Sequence, residues 1–174
     1  MSTQLGGYAG KVMKIDLTTR EVSEYPWTDE DRARYLGGKI MAAKILYDNI
    51  QAGTDAYAPE NMLVISTGPL SGTGAPSSSR FNISAISPLT NISASSNCGG
   101  DFGLTLKKAG YDALVITGKS ETPVWIESKD DAVQFHDAAA LWGMTTGATQ
   151  EALGKGAGKM VIGPAGEHLV RYAC

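Results

Sequence analysis

Residues 95–103, Ser-Ser-Asn-Cys-Gly-Gly-Asp-Phe-Gly, constrain the fold more than any other stretch of this chain. An Arg-bearing strand pattern, Arg80 to Ile86, and a second one, Ile92 to Ser95, lead into it; a short helical pattern, Leu104 to Ala109, leads out. Adjacent glycines reach backbone conformations closed to other residues, so the chain can pass from strand to helix within a few residues. Gly110 then ends the helix as a C-terminal glycine, and Tyr111 to Thr117 reads as a buried strand. The result is a tight strand–strand–bend–helix–strand unit. Glycines also leave N–H groups bare, and a helix N-terminus carries partial positive charge, so the bend can seat a phosphate or another anion. Arg80 can supply the planar fixed charge that a seated phosphate needs. A Gly-Gly bend that merely reverses the chain has the same pattern, and both readings stand at this level.

The rest of the chain can be read around that unit. Residues 10–26 alternate as a hairpin, turning at Thr18-Thr19. Thr28 is an expected N-cap, with Asp29, Glu30 and Asp31 in the first turn, and a helix runs to about Ile50 with a weak point at Gly37-Gly38. A loop from Gln51 to Asn61 precedes a short apolar strand, Met62 to Ser66, which Gly68-Pro69 stops. Residues 71–79 (SGTGAPSSS) have the composition of a flexible linker; the alternative is a floor of small residues under something flat. The last third repeats the first in outline. Pro123 to Asp137 is a second hairpin turning at Lys129-Asp130-Asp131, and a helix follows with Leu141-Trp142-Gly143 where the first copy has Tyr35-Leu36-Gly37. Lys159 to Pro164 answers Met62 to Pro69, and Arg171-Tyr172-Ala173 answers Arg80-Phe81-Asn82. This order predicts an internal duplication with halves at about 10–95 and 120–174. Leu169 to Cys174 reads as a strand in which the chain stops, as expected of a piece of something longer.

Composition narrows the function classes. With 43% hydrophobic and 19% charged residues, the 174-residue chain is expected to bury a core, as one compact domain. A net charge of −3 with interspersed signs gives no nucleic-acid footprint. There is neither an 18-residue apolar run nor a charged-then-apolar leader, so no membrane association is expected and the expected location is cytoplasmic. Cys98 and Cys174 are too few for a disulfide framework, and with only His136 and His168 there is no evident protein-only transition-metal site. Glycine is the outlier, at 21 residues, as expected of many tight turns and close backbone approaches.

A series of short motifs, kept in order, is more specific than any of them singly. They are Gly10-Lys11-Val12, Asp16-Leu17-Thr18-Thr19, Tyr35-Leu36-Gly37-Gly38, Pro59-Glu60-Asn61, Thr67-Gly68-Pro69-Leu70-Ser71-Gly72-Thr73 and Ala75-Pro76. Then come Ser79-Arg80-Phe81-Asn82, Ser87-Pro88-Leu89-Thr90, Asn97-Cys98-Gly99-Gly100, Lys108-Ala109-Gly110-Tyr111-Asp112, Leu141-Trp142-Gly143 and Ile162-Gly163-Pro164-Ala165-Gly166-Glu167. With these residues the chain, over nearly its whole length, closely resembles the N-terminal domain of the tungsten-containing aldehyde:ferredoxin oxidoreductases.

The resemblance implies an α+β fold: an internally duplicated domain with two related, mostly antiparallel sheets and a few helices, forming a base for a bis-pyranopterin cofactor of tungsten or molybdenum. It implies that Arg80 contacts this cofactor and that Asn97, Gly99 and Gly100 contribute contacts near the pterin phosphates. A magnesium ion bridging those phosphates would take the backbone carbonyl of Asn97, a hard oxygen ligand suited to it. Residues 71–79 then become the small-residue floor. The implied reaction oxidises an aldehyde to a carboxylic acid with an oxygen from water, passing electrons through a [4Fe–4S] cluster to ferredoxin. No catalytic residue is assigned here, and the cluster ligands belong to later sequence. Residues 1–174 are therefore expected to be the N-terminal domain, inactive alone, whose partners are the remaining domains or a subunit carrying the cluster. The alternatives are a separately encoded subunit and a non-catalytic pterin-binding platform. Of the remaining residues, Cys98 is expected to be buried under the turn and Cys174 to lie in a core strand. Trp125 and Trp142 are expected as core anchors, His136 at the surface, and Asp101 as a first-turn acid serving the helix dipole.

Overall fold

The computed structural model describes residues 3–129 and 132–173. Its main sheet contains β1 (Lys11–Asp16), β2 (Val22–Glu24), β3 (Leu63–Thr67), β4 (Phe81–Ile86), β5 (Ser93–Cys98) and β6 (Tyr111–Thr117). The strand order is β2-β1-β6-β3-β4-β5. β1 and β6 run parallel and every other pair is antiparallel. A second sheet is the hairpin β7 (Val124–Lys129) and β8 (Ala132–Asp137). Its turn at Asp130-Asp131 lies outside the described residues. No helix among the described residues is long and apolar enough to cross a membrane.

The helix after Thr28 divides where the glycines predict. α1 (Asp29–Tyr35) opens with a complete capping box: the Thr28 hydroxyl accepts from the Asp31 N–H at 3.1 Å, and Asp31 Oδ2 accepts from the Thr28 N–H at 2.9 Å. α1 ends at Leu36, whose φ of 54° breaks the helical path, and α2 (Gly38–Asn49) resumes after Gly37. A Cβ on Gly37 would sit 2.4 Å from the Thr67 carbonyl oxygen, so only glycine lets this corner rest on the end of β3.

Each face of the main sheet is covered differently. α2 lies on one face, where Met41, Ala42, Ile45 and Leu46 pack with Val12, Val64, Ala113 and Val115. On the other face Met13, Ile15, Ile65 and Phe81 meet Leu106 and Phe102 of α3 (Asp101–Lys108) and Ile126, Val133 and Phe135 of the β7–β8 hairpin. The alternation of β1 explains both contacts, since Val12 points one way and Met13 and Ile15 the other. The second sheet is thus a cover on the first.

The last third departs from the expected repeat. A hairpin and a helix, α4 (Thr146–Ala152), follow in the expected order. Lys159 to Gly163, however, forms no strand; Pro164–Glu167 is a single helical turn, α5, and residues 169–173 form turns rather than a strand. Among the described residues no ladder forms on either edge of the β7–β8 hairpin, and the chain instead packs Gly158 onto α3, where a Cβ would come within 2.6 Å of Thr105 Oγ1. Cys174 lies outside the described residues. Trp142 is 51% exposed in the turn before α4 and anchors no core. Trp125 is half-buried and stacks on His136, ring centroids 4.1 Å apart.

Burial pushes the Asp31 carboxyl up, but the hydrogen bonds from the Thr28 side chain and backbone outweigh it and hold Asp31 below its ordinary value. A carboxylate with a lowered folded-state pKa stabilises the fold above its unfolded value and loses that contribution as pH falls through the folded one. Thr28→Ala is therefore expected to cost about 1 kcal/mol near neutral pH. Urea titrations over pH should show the difference between variant and wild type shrinking below about pH 4.

Candidate functional site

β4 and β5 form a ribbon at one edge of the main sheet. Their register runs from Ile86↔Ser93 to Phe81↔Cys98. The next residues outward, Arg80 and Gly99, therefore lie side by side where the ribbon ends. Arg80, Asn97, Gly99 and Gly100 are all exposed. A Cβ built on Gly99 or Gly100 meets nothing within 4 Å, and Gly100 has a φ of 88°. Glycine is needed at Gly100 for its backbone, and both positions open onto free space. Gly100 is the N-cap of α3, and no side chain caps that helix. Its first N–H groups therefore point toward the bend without a side-chain acceptor. Asp101 sits in the first turn, where its carboxylate favours the dipole but opposes a second anion.

β5 extends beyond its expected end at Ser95, so Asn97 and Cys98 belong to the strand and α3 begins at Asp101 rather than Leu104. This overturns the expected burial of Cys98. It is the last residue of an outer strand whose six residues are all exposed.

The segment before β4 is an ordered loop. Ser71, 3% exposed, donates from Oγ toward the Ser78 carbonyl at 2.9 Å and the Arg80 carbonyl at 3.4 Å. Ser78 Oγ donates to the Ala75 carbonyl at 2.7 Å. These bonds fold residues 71–79 back on themselves and fix the backbone from which Arg80 departs. Gly103 brings α3 close to this backbone, since a Cβ there would meet the Ser79 carbonyl oxygen at 3.1 Å and Phe81 Cβ at 3.2 Å.

α3 is fixed at its other end by a buried ionic cluster. Asp112, at the start of β6, accepts from Lys107 Nζ at 2.5 Å and from the Ala9 and Gly10 N–H groups at 2.9 Å each. Arg32 Nε approaches the same carboxylate at 3.8 Å, while its Nη2 donates to the Gly10 carbonyl at 2.8 Å. The side chains of Asp112, Arg32 and Lys107 are 4%, 4% and 7% exposed. Lys107 also donates to the Gly7 carbonyl and lies over the Tyr8 ring. Burial, and then the Asp112 charge, push the Tyr8 phenol above its ordinary value against the pull of Arg32. Composition and spacing did not single out this cluster. The signal available was an acid inside an otherwise apolar strand, Tyr-Asp-Ala-Leu-Val-Ile, where burial demands partners.

The structure does not bring Arg171 to a position like that of Arg80. Arg171 lies in a turn and lines a shallow cleft with Asp55, Tyr57 and Asn91.

The arrangement defines an α+β scaffold with an exposed, amide-rich bend and a neighbouring arginine. The family described as "Aldehyde ferredoxin oxidoreductase, N-terminal domain" matches residues 12–174. A tungsten-containing aldehyde ferredoxin oxidoreductase of Thermococcus kodakarensis is 41% identical over 172 residues, which is 96% of this chain and 28% of that protein. The enzyme of the same name from Pyrococcus furiosus is 38% identical over the same share of each. Among solved structures, the active site complex BamBC of benzoyl coenzyme A reductase, in complex with 1,5-dienoyl-CoA, superposes with a TM-score of 0.83 at 34% identity. That match covers 85% of this chain and 23% of the other. The chain belongs to the aldehyde ferredoxin oxidoreductase family and corresponds to its N-terminal domain. It spans 28% of the length of these oxidoreductase relatives.

Replacing Asp112 leaves the buried Lys107 without its counter-charge and two backbone N–H groups without their acceptor, while Arg32 keeps Asp29 at 3.0 Å. Asp112→Ala is therefore expected to cost about 3–5 kcal/mol. Chemical denaturation of variant and wild type checks this, and a loss under about 1 kcal/mol would show that the cluster is not a structural centre.

Proposed function

We propose that residues 1–174 are the cofactor-binding platform of a tungsten (or molybdenum) bis-pyranopterin oxidoreductase. The reaction converts an aldehyde and water to a carboxylic acid, two protons and two electrons, with ferredoxin as acceptor. The observation that carries the reading is the β4–β5 register, which sets Arg80 beside Gly99 next to the opening of α3. The residues present fit a phosphorylated ligand: a guanidinium, open glycine backbone on which a Cβ would meet nothing, and helix N–H groups without a side-chain cap. The fit has one condition, since Asp101 opposes a bare anion. A cation such as magnesium beside the phosphates removes that repulsion, and the Asn97 carbonyl is a suitable oxygen ligand.

When bound, the paired pterin dithiolenes and their metal supply the redox chemistry. This chain's part is to bind and orient. Arg80 would hold a phosphate oxygen in a planar, charge-assisted contact, Gly99 and Gly100 would offer N–H groups, and the small side chains of residues 71–79 and β5 would let a wide ring system come close. Electrons would leave through a [4Fe–4S] cluster whose ligands, like the ferredoxin contact, belong to further domains or a partner subunit. Of the expected duplication, the order hairpin then helix recurs, with β7–β8 answering β1–β2, and a partly doubled base would suit a paired cofactor.

A second reading changes the substrate and keeps the platform. An aliphatic sulfonate oxidoreductase subunit of Pyrococcus furiosus, described as WOR-like, is 34% identical over 79% of this chain, the same identity as the benzoyl coenzyme A reductase complex. The aldehyde reading stands first because its relatives reach 38–41% over 96% of the chain.

The seat is tested in protein expressed from the complete gene with tungstate in the medium. Arg80→Ala should weaken retention of pterin and tungsten by about tenfold, the worth of a hydrogen bond to a charged group. The Arg80 side chain is exposed, so melting of the metal-free protein should shift little. Unchanged retention in Arg80→Ala would remove the seat. A separate assay concerns the 174-residue chain alone: no aldehyde-dependent dye reduction is expected, and robust turnover would contradict the platform reading.

A further inference from the structure

Asn82 is the anomaly of the ribbon. It is 1% exposed on the face that α2 covers, opposite the buried Ser66 of β3, and burying a carboxamide is costly unless its polar atoms are paired. Every polar atom of its side chain is engaged. Oδ1 accepts from Ser84 Oγ at 2.8 Å. Nδ2 faces Ser95 Oγ at 2.6 Å, the Ser96 carbonyl at 3.1 Å and Asn97 Oδ1 at 3.4 Å. The Ser96 carbonyl can only accept, so the amino end of Asn82 must face β5. Asn97 lies directly opposite Asn82 in the register, and the group it turns toward that amino end is its oxygen. A carboxamide is planar, with its oxygen and amino group diverging from one carbon. With Oδ1 turned inward, the Asn97 amino group is turned away from Asn82.

We propose that Asn82 is a positioning residue: its buried carboxamide fixes Asn97 so that the exposed side chain offers N–H donors, not its oxygen, to an anionic ligand at the Gly99-Gly100 bend. The proposal rests on the seat described above and adds its polarity. The chain of cause is short. A backbone acceptor on β5 orients Asn82, Asn82 orients Asn97, and Asn97 adds side-chain donors two residues before the bare glycine amides. The backbone carbonyl of Asn97 remains free to serve a cation, because the side chain and the carbonyl are separate groups. A serine in place of Asn82 keeps a polar atom for the local bonds and is too short to reach Asn97.

The test uses protein expressed from the complete gene with tungstate, and reads the rate at which bound pterin is lost, followed by fluorescence of the released pterin. Asn97→Ala removes the donor, whereas Asn97→Asp replaces it with a negative oxygen of the same shape. Asn97→Asp should therefore lose pterin faster than Asn97→Ala, which should itself lose it about tenfold faster than wild type. Asn82→Ser should accelerate loss in the wild-type background and add nothing in the Asn97→Ala background. A role for Asn82 in folding alone would give equal acceleration in both backgrounds and would overturn the proposal. So would an Asn97→Asp protein that holds pterin as well as wild type, since that would mean Asn97 presents an oxygen to a cation. If Asn82→Ser does not fold, the order of the two Asn97 variants decides, because Asn97 is exposed. If Arg80→Ala retains pterin like wild type, the seat itself fails and the inference with it; loss in Arg80→Ala without coupling between Asn82 and Asn97 overturns the inference alone.

Discussion

One buried carboxylate organises this molecule. Asp112 gathers the N-terminal strap at Ala9 and Gly10, Arg32 from α1 and Lys107 from α3, and it does so from the first turn of contact between β6 and the rest of the sheet. Three elements distant in sequence are held to one pair of oxygens. Taking these charges out of water is costly, and apolar sets of the same volume often match such a cluster in stability. What an apolar set would lack is direction. A carboxylate with an ammonium on one oxygen and an N–H on each accepts few alternative arrangements. The orientation of α3, and so of the bend at its N-terminus, follows from where Lys107 is held.

The neighbouring contacts carry this fixity outward. Gly7 and Gly37 both press on the corner Thr67-Gly68-Pro69: a Cβ on Gly7 would meet the Pro69 carbonyl oxygen at 2.5 Å, and one on Gly37 the Thr67 carbonyl oxygen at 2.4 Å. Thr67 Oγ1 in turn donates to the Asp112 carbonyl at 2.9 Å. From that corner the chain enters the loop that Ser71 folds, and from the loop it enters Arg80. The path from the buried cluster to the exposed arginine is therefore made of close backbone contacts and short hydrogen bonds. It leaves little freedom at the point where the side chain begins.

How much of this could be read from the sequence depended on the range of the forces involved. The Thr28 capping box, the break at Gly37-Gly38, strand β6 and the glycine that ends α3 are local, and each was legible from a few adjacent residues. β5 runs past the expected Ser95 because Asn97 and Cys98 are held in the strand by pairing with Asn82 and Phe81, fifteen or more residues away. Cys98 was expected to be buried by its residue type, and exposure was decided instead by its place on an outer strand. The strands expected at 159–163 and, within the described residues, 169–173 do not form for a related reason. Their apolar patterns resembled β3 and β4, but a pattern specifies a face and cannot supply a pairing partner. Asp112 stands in the sequence only as the last residue of the motif 108–112, since its partners come from residues 9, 10, 32 and 107.

The exposure of the candidate seat sets a limit on what it can do by itself. A guanidinium and a few amides facing open solvent bind a single phosphate weakly, because water screens the attraction and Asp101 works against it. Tight holding has to come from a ligand that is gripped in more than one place. A second attachment converts later contacts into intramolecular ones, and weak individual contacts then combine at a high effective concentration. A wide ligand with phosphorylated arms, lying across small side chains, meets that requirement; a free phosphate ion does not. The absence of bulk along β5 and residues 71–79 then has the same logic as the fixed backbone beneath Arg80. Both keep the surface flat and its few donors in place, so that a large, rigid group can engage all of them at once.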